Sequence, residues 1–121
     1  MAELTSNQRR CLHVLAYMMF RMGQETRARK IYAGLNALAP HGKPDRKALT
    51  GLAAIAIEKE EGAKALEYLR AAMDGMALSS KHATLFLMKA QALWLEGRNA
   101  EAEAAKDEYL FLKGNSAEND A

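Results

Sequence analysis

The chain has 121 residues, 50% of them apolar and 26% charged, and carries a formal net charge of +2. That size and balance exclude a disordered chain and leave room for one folded domain. The 17 basic residues are interleaved with 15 acidic ones and form no Lys/Arg-rich run, so no nucleic-acid partner is expected. The lone Cys11 can form no internal disulfide, and no CxxC or Cys/His spacing offers a zinc site. It reads as a small apolar helix residue, a type usually buried. The opening residues do not have the form of a signal peptide, and the apolar run from Cys11 to Met22 is too short to cross a bilayer. A cytoplasmic protein without membrane insertion is the expectation.

In chain order, Thr5 with Gln8 three residues on forms a capping-box pattern opening a first helix. Leu12, Leu15, Ala16 and Met19 supply its core stripe, and Gly23 ends it. A second helix with Ala28, Ile31, Tyr32 and Leu35 runs to about Leu38, before a connection that holds Pro40 and Pro44. The third helix carries Leu49, Leu52, Ala53 and Ala56. A turn from Glu60 to Gly62 leads into a fourth with Ala65, Tyr68, Leu69 and Ala72. After a connection from Met73 to Ser80, with Ser79 or Ser80 as cap, a fifth helix carries Phe86, Ala90 and Leu93. The turn at Gly97 and Asn99 starts a sixth with Ala102, Ala105 and Tyr109.

These elements repeat. Gly23, Glu60 and Gly97 stand 37 residues apart, and the same step relates Ala16, Ala53 and Ala90 on the first helix of each pair and Ala28, Ala65 and Ala102 on the second. Small residues at matched positions let two helices approach closely, and repetition at this length marks a stacked helical-hairpin array. The expected fold is therefore all-α, with three hairpins at about 6–40, 44–77 and 80–113 and a flexible polar tail at 114–121. Lys89 and Lys106 replace Leu15 and Tyr32 in the third copy. Tyr109 to Leu112 leave an apolar C-terminal face with no seventh helix to cover it.

No catalytic or cofactor pattern accompanies this repeat. Cys11 and His13 project to different helix faces, His41 and His82 read as solvated loop residues, and the acidic clusters read as solvated helix faces. The glycines form no phosphate-binding loop. Neither an enzyme nor a cofactor or metal is expected. The binding candidates are the residues of each hairpin's first helix that the core leaves free. These are Arg10, His13, Tyr17, Phe20 and Arg21 on the first helix, Lys47, Thr50, Ala54, Ile57 and Glu58 on the third, and Thr84, Leu87, Gln91, Trp94 and Leu95 on the fifth. Rigid aromatics flanked by aliphatics are typical interface anchors. Met18, Met19 and Met22 read as adaptable core filler.

Gly23, Ala28, Tyr32, Leu35 and Pro40 resemble the tetratricopeptide repeat in order and residue type. That resemblance implies a right-handed superhelix whose concave face binds peptides or partner helices. The carboxylate-clamp subtype is not expected, because His13 and Tyr17 occupy the positions of its lysine/asparagine pair. The opening LTSNQRR, the turn MGQETRARKIY and the ending GRNAEAEAAKDEYLFLKG are further similar to the small three-repeat chaperones of bacterial type III secretion, the YscY (SctY) type. This resemblance implies a cytosolic, non-enzymatic virulence protein that binds a small secreted X-type protein. It also implies delivery of that protein to the export gate, which places the chaperone at the inner face of the bacterial inner membrane. A needle-subunit chaperone of the same system and a self-assembling scaffold, homodimeric without a partner, are the alternatives.

Overall fold

In the computed structural model, which describes residues 4–40, 43–77 and 79–120 and side chains as far as Gly114, the described residues form six α-helices. These are α1 (Ser6–Arg21), α2 (Glu25–Ala37), α3 (Arg46–Glu58), α4 (Gly62–Met73), α5 (Ala83–Leu95) and α6 (Asn99–Asp120). A single 3-10 turn, Ser80–His82, precedes α5. The helices pack in pairs, α1 on α2, α3 on α4 and α5 on α6, and α2 leans on α3 as α4 leans on α5. The protein is thus an all-α domain with a helical-repeat arrangement. The odd helices also touch one another, α1 with α3 and α3 with α5, whereas α2, α4 and α6 nowhere approach so closely among the described residues.

The 37-residue period is written into the backbone. Gly23 (φ 80°), Glu60 (φ 59°) and Gly97 (φ 74°) all adopt the left-handed conformation. Each lies inside the same pair of hydrogen bonds. The Gln24, Glu61 and Arg98 amides donate to the carbonyls of Met19, Ala56 and Leu93 at 2.8, 2.8 and 2.9 Å, and the left-handed residue itself donates to Phe20, Ile57 or Trp94. This closing motif satisfies the last carbonyls of α1, α3 and α5 and reverses the chain. In the second copy a glutamate bears a conformation that glycine adopts without steric cost. Glu60→Gly therefore raises stability by about 1 kcal/mol, read as a Tm increase of about 4 °C by thermal unfolding.

The matched alanines do what their size suggests: Ala16, Ala28, Ala53, Ala65, Ala90 and Ala102 are all buried between paired helices. Thr5 and Gln8 form the reciprocal cap on α1, with Thr5 N–H donating to Gln8 Oε1 at 2.8 Å and Gln8 N–H to Thr5 Oγ1 at 3.1 Å. Arginines one period apart close the other ends. Arg9 on α1 donates to the Leu35 carbonyl at the end of α2 (2.8 Å), and Arg46 on α3 to the Ala72 carbonyl at the end of α4 (2.6 Å). The next position in register is Ala83, which has nothing to donate.

The structure departs from the sequence expectations in several places. On α1, Leu15 does not join the core stripe; Leu12, Ala16, Met19 and Phe20 face inward, while Leu15, Met18, Met22 and Cys11 are exposed. Ser79 caps the 3-10 turn instead of α5 itself, its amide donating to His82 Nδ1 at 3.2 Å. The expected tail at 114–121 is helical as far as Asp120. No proline interrupts it, and Gly114 keeps an ordinary helical φ, so nothing in this stretch supplies the stop that Pro40 and Gly75 (φ 68°) supply after α2 and α4. Ala121 and His41 lie outside the described residues.

Candidate binding face on the odd helices

The candidate residues fall in matched sets one period apart: Arg10, Lys47 and Thr84; His13, Thr50 and Leu87; Tyr17, Ala54 and Gln91; Phe20, Ile57 and Trp94. Because α1, α3 and α5 are neighbours, these sets run as rows across one face. The structure sorts them into exposed and engaged members. Arg10, Tyr17, Arg21, Lys47, Thr84, Leu87, Gln91 and Trp94 are exposed. Phe20, Ala54 and Ile57 are half-buried, Phe20 against the first core cluster and the other two against the second.

His13 and Thr50 have internal partners. Thr50 Oγ1 donates back to the Arg46 carbonyl at 2.8 Å, a local helix bond that occupies its hydroxyl. His13 Nε2 lies 3.1 Å from Asp45 Oδ2, and its ring centroid is 6.2 Å from that of Tyr32. Asp45 is the N-cap of α3, accepting from the Ala48 amide at 2.9 Å, and it also holds the Arg9 guanidinium. One carboxylate thus ties the first hairpin to the second. Burial raises its pKa, but the Ala48 amide, Arg9 and His13 together outweigh burial and hold it below the ordinary aspartate value. Beside it, burial and then the Tyr17 phenol push the Tyr32 hydroxyl up.

A groove of about 610 Å³ opens where the end of α3 meets α5 and α6. Ile57, Ala90, Trp94, Leu95 and Ala102 give it an apolar lining, and Glu58, Glu60 and Glu103 stand along it with Lys106. Lys106 is held by Glu103 at 2.5 Å. Trp94 is 69% exposed at its edge, an unusual state for so large an apolar side chain. Of the sequence candidates, Ile57, Gln91 and Trp94 are brought together here. Arg10, Tyr17, Arg21, Lys47, Thr84 and Leu87 lie outside it. Glu58 and Leu95, free on the same helices by sequence, line it as well, whereas Glu60 and Glu103, which read in sequence as solvated charges, are the acidic lining residues that the candidate set leaves out.

Among the described residues no cluster of three metal-ligating side chains occurs, and no helix is long and apolar enough to cross a membrane. Against known proteins, the chain matches no protein-family model and no curated sequence.

Proposed function

We propose that this chain is a tetratricopeptide-type binding protein, wound as a right-handed superhelix, that works in the bacterial cytoplasm as an export chaperone of the YscY (SctY) type. In this reading it holds a small secreted X-type protein of the type III apparatus. An amphipathic helix of that partner lies across the rows of α1, α3 and α5 and seats an apolar anchor in the groove beside Trp94. The observation that carries the reading is the exposure of Trp94 at the rim of an apolar groove where the face of the odd helices meets α6. A rigid aromatic left in water beside a concavity is the usual form of an interface anchor before its partner arrives. Arg10, Arg21 and Lys47 flank the far end of the face and act on association rate more than on affinity. Delivery to the inner-membrane export gate follows from the same reading.

Trp94→Ala weakens binding of the X-type partner by about 2 kcal/mol, roughly thirtyfold in Kd, with helical content unchanged. Calorimetric titration paired with circular dichroism reads both quantities. Unaltered affinity in this variant places the interface elsewhere.

A scaffold that pairs with its own copy is the second reading, favoured by exposed Leu110 and Phe111 on α6. Mass that rises with protein concentration separates it from the chaperone reading. A second small co-purifying chain points instead to the needle-subunit chaperone.

A further inference from the structure

The largest run of exposed apolar side chains is not on the face just described but on the outer side of α1. Val14, Leu15, Met18 and Met22 are 55%, 40%, 51% and 66% exposed, and Cys11 lies exposed in the same strip. Their spacing is that of one helical stripe.

The repeat shows what such a stripe is for. One period on, Cys11, Val14, Leu15 and Met18 correspond to Ala48, Gly51, Leu52 and Ile55 of α3, and α2 covers that line. Two periods on, the line on α5 includes Leu85 and Met88, which pack with Leu69 of α4. Each seam is completed by a side chain from the preceding helix, Tyr32 over Gly51 in the first and Leu69 beside Met88 in the second. On α1 the receiving line is intact and apolar, and among the described residues no helix precedes it.

We infer that the outer strip of α1 is a docking seam for an acidic amphipathic helix from a partner, seated as α2 sits on α3. Charge selects this occupant. α1 carries three arginines and no acidic residue, and Arg10 and Arg21 stand exposed along one edge of the strip. A second copy fits poorly. Its α6 carries Lys106 at the position in register with Tyr32 and Leu69, and an α1 strip facing another α1 strip brings like-charged arginines together. The seam lies apart from Trp94, so it adds a contact to the proposed chaperone face instead of restating it.

Cys11, the only thiol, reports on the strip directly. Two designed 20-residue helical peptides share an apolar stripe copied from Ala28, Tyr32 and Leu35 and differ only in having Glu or Lys on their flanks. The Glu peptide slows maleimide alkylation of Cys11 about tenfold when present at about ten times its Kd. The protection fades as salt is raised, disappears in Met18→Glu and persists in Trp94→Ala. Circular dichroism of Met18→Glu confirms that the helices remain. Equal protection by both peptides, or by neither, overturns the inference. So does protection that grows with protein concentration alone, which indicates a second copy. Protection by phosphatidylglycerol vesicles but not by the Glu peptide overturns it in favour of a lipid surface.

Discussion

Gly51→Val destabilises the protein by about 3 kcal/mol, and Gly51→Ala by about 2 kcal/mol, in denaturant unfolding. Helix propensity alone predicts the opposite sign for alanine, a gain of about 1 kcal/mol over glycine in the middle of α3. Packing decides the outcome. A Cβ at position 51 stands 2.4 to 2.7 Å from three ring atoms of Tyr32. That ring is buried and has the His13 ring on α1 as a neighbour, so it has little room to retreat. The second seam shows the compensated form of the same contact, with leucine at the position of Tyr32 and methionine at that of Gly51. Tyr32→Leu should therefore recover part of the loss in Gly51→Ala. A Gly51→Ala variant as stable as the parent contradicts the close approach of α2 to α3.

Asp45→Ala costs about 3 kcal/mol, because one substitution removes the cap on α3 and the anionic partner of Arg9 and His13. The carboxylate is only 8% exposed, so water replaces these partners poorly. Asp45→Asn keeps a capping oxygen and loses less. The acid dependence follows from the direction of the pKa shift. A carboxyl whose folded pKa lies below its unfolded value contributes stability above the unfolded value, and that contribution is lost as pH falls through the folded one. The unfolded reference is near 3.8. The gap in stability between the parent and Asp45→Asn is thus full at neutral pH and narrows below about pH 4. Denaturant midpoints measured at several pH values test this; a gap that widens on acidification reverses the assignment.

The repeat was legible because its closing residues and small packing residues recur at one spacing. Even Glu60, which breaks the glycine pattern, adopts the same backbone as Gly23 and Gly97. Less legible was which apolar side of α1 faces inward. Apolar residues surround that helix, from Leu12 and Ala16 on one side to Val14 and Met18 on the other, so periodicity selects no single face. Leu15 falls on the helical stripe of Leu12, Ala16 and Met19, but its counterpart Leu52 is covered by α2, whereas among the described residues no helix covers Leu15. The small residue at Gly51 makes sense only once Tyr32 is placed against it. The engagement of His13 is invisible to sequence because its carboxylate partner comes from a connection 32 residues away, a pairing no local pattern encodes.

Trp94 is the only tryptophan, so its emission tests the proposed binding face with no label. The decisive measurement is its fluorescence and acrylamide quenching before and after a stoichiometric complex with the X-type partner forms, with light scattering to establish that the complex is present. A blue-shifted emission with reduced quenching is the predicted result, since an anchor seated in the groove between α3, α5 and α6 leaves water. A complex of verified mass in which Trp94 emits and quenches as it does in the free protein contradicts the account.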